Sequence, residues 1–120
     1  MQSRQEFIRS MNADWDRLVA DGDRRKDSMS PLLALTDFYR TLPEGERDFA
    51  DEVLHSWLRQ TSDLGRRFGA LSVISDCNVT RAVPWLRALA AHLETDPAPI
   101  SPYEWAKVNK LIAKLATPEC

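Results

Sequence analysis

Three features of the chain predict an all-α fold. Apolar residues recur at three- and four-residue steps in about six successive segments. Proline falls just inside the start of several of these segments, where a first helical turn tolerates it. Nowhere do apolar and polar residues alternate across β-branched positions between turn clusters. With 120 residues, 43% of them hydrophobic, the sequence suits one domain spanning residues 1–120, with one small core.

The first helix is carried by Phe7, Ile8, Met11, Trp15, Leu18 and Val19 on one side. It is expected to end near Asp21-Gly22-Asp23, with Gly22 in the left-handed C′ position and Arg24 to Asp27 as a polar loop. Ser30-Pro31 supplies a serine N-cap and a proline at N1 for the second helix, whose stripe is Leu32, Leu35, Phe38, Tyr39 and Leu42. Pro43 closes that helix and opens a third, running to about Gln60, whose stripe centres on Phe49, Val53 and Trp57 with Leu54 and Leu58 at one edge. The very short turn predicts that the second and third helices pack as neighbours.

A fourth helix starts at Ser62-Asp63 and carries Leu64, Phe68, Leu71 and Ile74. Its Gly65 and Gly69 each cost about 1 kcal/mol relative to alanine, which predicts that they serve a close approach or a kink. The fifth covers Arg81 to Glu94, with Ala82, Val83, Leu86, Leu89, Ala90 and Leu93 inward and Pro84 in its first turn. Thr95 to Ile100 is an extended, proline-rich linker. Ser101-Pro102-Tyr103-Glu104 reads as a capping box before a sixth helix with Trp105, Val108, Leu111, Ile112 and Leu115 inward.

Composition narrows function by exclusion. The formal net charge is −2, so the whole chain lacks the cationic excess that drives binding to a phosphate backbone, and nucleic acid is disfavoured. No apolar run approaches the ~20 residues that span a bilayer, and the N-terminus lacks the apolar core of a secretory signal; the expected location is the cytoplasm, with no membrane partner. Cys77 and Cys120 are then expected to stay reduced, with Cys120 able to cross-link chains in vitro.

Two segments resemble a known architecture. Arg66-Arg67-Phe68-Gly69-Ala70-Leu71-Ser72-Val73-Ile74 and, after a short turn, Thr80-Arg81-Ala82-Val83-Pro84-Trp85-Leu86-Arg87-Ala88-Leu89 together resemble a HEAT-like repeat, over about residues 66–93. The likeness lies in the arginine-led, small-residue-rich helix and the Ala-Val-Pro-x-Leu opening of the next. The resemblance implies antiparallel helical hairpins and a protein-binding role. It extends to HEAT-like bacterial immunity proteins, which neutralise toxins by direct binding. No repeat of ~40 residues runs through the rest of the chain.

The candidate contact surface lies on the third helix. Glu44, Asp48, Asp51, Glu52, His55 and Arg59 fall opposite the Phe49, Val53 and Trp57 stripe at about 100° per residue. Glu44, Asp48, Asp51 and Glu52 form an acidic strip able to steer a basic partner. Asp48 and Glu52 repel each other four residues apart, so helix stability alone does not account for them. Trp85 sits at the edge of its stripe, about 90° from its centre, as interface tryptophans commonly do; Trp15, Trp57 and Trp105 are expected in the core.

Glu52 and His55 have the Glu-x-x-His spacing of di-iron bundles, but His92 lacks a matching glutamate, so no metal or other cofactor is expected. Tyr103 and Lys107 have the spacing of a dehydrogenase acid/base pair without its glycine-rich turn. No nucleophile, base or phosphate loop accompanies them, and the chain is not expected to be an enzyme. The reading that emerges is a protein-binding helical domain of immunity type with a basic partner. The alternatives are a nucleic-acid binder using Arg66, Arg67, Arg81, Arg87 and the lysines of the sixth helix, and a purely structural interaction subunit.

Overall fold

The computed structural model describes residues 3–27, 29–59 and 63–116. Six α-helices and one short 3₁₀ turn follow in order: α1 (Arg4–Arg25), α2 (Ser30–Thr41), α3 (Glu44–Arg59), α4 (Leu64–Asp76), the 3₁₀ turn Thr80–Ala82, α5 (Val83–Thr95) and α6 (Ser101–Ala116). The fold is all-α. The expected starts at Ser62 and end at Gln60, and the free thiol of Cys120, lie outside the described residues.

Helix pairing follows a regular order. The extensive contacts join α1 to α2, α3 to α4 and α5 to α6, and also α1 to α3, α3 to α5 and α2 to α4. Helices α1, α3 and α5 therefore form one row and α2 and α4 a second, with α6 beside α5. The molecule is 38 × 38 × 25 Å, and its short dimension matches two helix diameters of about 10–12 Å each.

The second and third helices do not pack extensively on each other, contrary to expectation. Leu42, ahead of Pro43, is extended at φ −72° and ψ 139°, as a residue before proline must be. The chain turns outward there, and α3 runs on against α1, α4 and α5 instead. The two helices meet through a few side chains: Arg47 of α3 donates to the carbonyl of Leu42, just past the end of α2, at 3.3 Å, and the Tyr39 hydroxyl of α2 donates to Asp51 of α3 at 2.7 Å.

Most of the apolar stripes enter the core as their periodicity requires. Phe7, Met11 and Trp15 of α1, Val53, Leu54 and Trp57 of α3, and Leu86, Leu89 and Leu93 of α5 are all buried. Trp15 and Trp57 meet at 5.6 Å between ring centroids. The Trp57 indole Nε1 donates to Asn12 at 2.7 Å, which satisfies the one polar atom that a buried tryptophan brings.

Glycine holds the rows together at two close approaches. A Cβ on Gly69 would stand 3.0 Å from the Trp15 ring and 3.4 Å from Leu35, so α4 reaches α1 and α2 because position 69 lacks a side chain. Gly65 meets only its own capping residue, Asp63, and serves no such approach. Gly22 is not a left-handed cap. It lies buried inside α1, which runs on to Arg25, and a Cβ there would strike the Asp27 carbonyl at 2.7 Å and Pro31 at 2.8 Å. Lys26 takes the left-handed position instead, at φ 54°.

Three local expectations are corrected by the structure. The α2 start is capped by Asp27, whose carboxylate accepts from the amides of Met29 and Ser30 at 3.1 and 3.0 Å, and not by Ser30. In α6 the Glu104 amide bonds to the Ile100 carbonyl at 3.0 Å, so Ser101 is already helical and the capping box does not form. Its buried Oγ finds no hydrogen-bond partner. Trp105 and Phe68, expected inside, are 38% and 41% exposed: in α4 the buried positions are Arg67, Gly69, Ala70, Val73 and Ile74, and Phe68 falls on the opposite side of the helix.

Candidate functional site

Helix α3 is enclosed across a wide arc, because Ala50, Asp51, Val53, Leu54, Trp57 and Leu58 are all buried. The arc centres near Leu54 rather than Val53, which turns Asp51 inward. Asp51 therefore leaves the acidic strip. Its carboxylate accepts a 2.7 Å hydrogen bond from the Tyr39 hydroxyl and pairs with Arg81 at 3.0 Å. Burial pushes the Asp51 carboxyl above its ordinary range, against the opposing pull of Tyr39 and Arg81, and burial likewise raises the Tyr39 phenol.

Glu44, Asp48 and Glu52 remain exposed on the outer face of α3. Asp48 shares Arg81 with Asp51, also at 3.0 Å, and Glu52 accepts from Arg4 of α1 at 2.7 Å. Such exposed pairs are worth about 0–1 kcal/mol each and exchange readily with water or another cation. The strip is thus partly neutralised from within, by arginines that a competing charge can displace.

Trp85 is half-buried at the edge of α5, as its helical position predicts. Its indole stacks on the His55 imidazole of α3, with centroids 4.6 Å apart and planes at 7°. The fold thereby joins the edge tryptophan to the outer face of α3, a relation that helical angles within one segment cannot reveal. The stack stands in an open groove of about 230 Å³ between α3 and α5, lined by His55, Leu58, Arg59, Trp85, Leu89 and His92, with Ala88 between. Burial, reinforced by the neighbouring Arg59 charge, lowers the His55 pKa below its ordinary value, so the ring is neutral at pH 7. Arg59 has no ion-pair partner among the described residues, while His92 lies 3.5 Å from Asp96.

The outer surface of α3 is consequently graded. Toward its N-terminus it carries Glu44, Asp48 and Glu52; in its last two turns it carries His55 and Arg59 beside Trp85. Glu52 and His55, three residues apart, go to Arg4 and Trp85 respectively, and among the described residues no group of three metal-ligating side chains converges. Cys77 is half-buried near Arg40, and burial raises its thiol pKa, which disfavours the reactive thiolate.

Several arginines of the nucleic-acid alternative are committed to carboxylates. Arg67 is buried against Glu104, Arg66 pairs with Asp16 and Asp63, and Arg81 with Asp48 and Asp51. Lys107 lies 4.7 Å over the Tyr103 ring. Among the described residues, no helix is long and apolar enough to cross a membrane. No family model, curated protein or solved structure matches the chain.

Proposed function

We propose that this chain is a protein-binding helical domain whose contact surface is the outer face of α3 together with Trp85 of α5. The observation that carries the reading is the Trp85–His55 stack, which places a large, rigid, half-buried aromatic beside a groove and in line with Glu44, Asp48 and Glu52. Aromatic anchors in partly desolvated pockets dominate binding energy, and flanking charges set encounter rate. The partner presents a basic segment to the acids, displacing Arg4 and Arg81, and an apolar side chain to the groove beside Trp85.

The HEAT-like part of this reading rests on the sequence likeness over residues 66–93 alone, since α4 and α5, the helices that carry it, do not pack extensively on each other. A cytoplasmic inhibitor of bacterial immunity type, capturing a basic toxin, is the form of this reading that the acidic end of α3 favours.

The test combines kinetics with stability. After the partner is isolated from the native host, a triple variant E44Q/D48N/E52Q is expected to associate about tenfold more slowly at low salt, with an almost unchanged melting temperature. Trp85→Ala is expected to accelerate dissociation instead. An association rate that ignores the three acids, or a dissociation rate that ignores Trp85, overturns the assignment.

A further inference from the structure

A second surface, between α4 and α6 rather than α3 and α5, has a different chemistry. Helices α4 and α6 are tied by side chains more than by close packing: Arg67 to Glu104 inside the protein, and Lys114 to the Ser75 carbonyl at 3.0 Å. Between these ties lies a groove of about 300 Å³ floored by Phe68, Leu71, Val108 and Leu111. Phe68 is 41% exposed, on the side of α4 away from the core. Lys107 lines the groove, and Lys110 and Lys114 continue the same flank of α6 at helical spacing. Among the described residues no carboxylate lines it, since Glu104, the one acid in that stretch of α6, is turned inward onto Arg67.

We infer that this groove is a docking site for an acidic amphipathic helix, with apolar side chains against Phe68 and Leu71 and carboxylates over Lys107, Lys110 and Lys114. Charge complementarity selects the occupant: a lysine-flanked apolar channel without a compensating acid matches a helix carrying the opposite pattern. The concave shape, between two helices, favours a helix over a flat bilayer, and a second copy of this chain would bring the same lysines against themselves.

A library of displayed 18-residue helices tests this, with a fixed i, i+3, i+4, i+7 apolar stripe and flanking positions randomised between Glu, Lys and Gln. Selection on the whole protein is expected to enrich Glu-flanked helices. Selected helices should lose at least tenfold in affinity for Phe68→Arg, and the K107E/K110E/K114E variant should reverse the preference toward Lys-flanked helices. The Trp85→Ala variant, which alters only the other face, should bind them unchanged.

Circular dichroism on each variant confirms that it folds, and Lys107→Glu alone, at an exposed position, provides a second variant if the triple change does not. Enrichment indifferent to flank charge, or insensitivity to Phe68 and the lysines, overturns the inference. So does tight Phe68-dependent binding to phosphatidylserine vesicles in place of the helices, or Phe68-dependent dimerisation in sedimentation.

Discussion

Arg67 of α4 and Glu104 of α6 form a two-point ion pair, Nε to Oε2 at 2.9 Å and Nη2 to Oε1 at 2.7 Å, with side chains only 2% and 1% exposed. The fork of a guanidinium matches the two oxygens of a carboxylate, so both charges are met without water. The pair fixes where α6 sits against α4, the helices whose backbones do not pack extensively on each other.

Breaking the pair and replacing it are expected to have opposite outcomes. Arg67→Met leaves Glu104 buried without its cation and should cost about 3–5 kcal/mol in urea unfolding, whereas R67M/E104L together should fall between neutral and a gain of about 4 kcal/mol. Equal losses in the single and double variants would contradict this account.

Two glycines in α4 should respond oppositely to the same substitution. Gly65→Ala would bring its methyl only to an ordinary 3.5 Å contact with Asp63 and should stabilise by up to about 1 kcal/mol, the helix-propensity difference. Gly69→Ala gains the same propensity but forces its methyl against Trp15 and Leu35, at 3.0 and 3.4 Å. Overpacking of this kind costs about 1–3 kcal/mol and should dominate. Thermal melts of the two variants provide the comparison.

Tyr39→Phe removes the hydroxyl that donates to Asp51. At neutral pH the loss should be about 1–3 kcal/mol, because a buried carboxylate is left short of a donor. Burial already raises the folded Asp51 pKa, while the Tyr39 hydrogen bond opposes that rise, so the variant should move it higher still. A raised carboxyl pKa means the folded state binds more protons, and its contribution favours folding below the folded pKa and weakens as pH climbs from the unfolded value to the folded one. The deficit of Tyr39→Phe should therefore shrink on acidification through that window, as carboxyl NMR and pH-dependent melts can follow.

His55 has the opposite sign of proton linkage. Its pKa is lowered by burial and by Arg59, so the fold favours the neutral ring. That contribution is complete above the ordinary histidine value of about 6.5 and is lost as pH falls through the lower folded value. Histidine NMR should place His55 below 6.5, and His55→Gln should flatten the fall in stability that the wild type shows as pH drops below about 6.5. Trp85 fluorescence should change over the same interval in the wild type, as the stacked ring gains charge.

Much of the helical layout was legible in local pattern. The α5 stripe and the edge position of Trp85 follow from spacing, because a helix repeats at 3.6 residues wherever it packs, whereas the centre of the α3 arc shifted toward Leu54. The propensity cost of Gly69 pointed to a close approach or a kink, and the fold supplies the close approach. Helix starts were less legible: Ser30 and Ser101 have the right residue type for caps, yet Asp27 and the Ile100 carbonyl take those places, since the neighbouring loop decides which oxygen reaches the free amides.

The sequence by itself determined that this protein is all-α, where its helices run and which apolar residues most of them bury, because propensity and periodicity act within a single segment. Only the tertiary structure decided what became of the charges. Asp51 lies on the same helix as Asp48 and Glu52, but α2 and the turn before α5 bring Tyr39 and Arg81 to it and draw it inward. Arg67 and Glu104, 37 positions apart, read as a surface cation and a helix cap until α4 and α6 are placed together. A charge can be buried only where its counter-charge arrives, and that meeting depends on the fold as a whole.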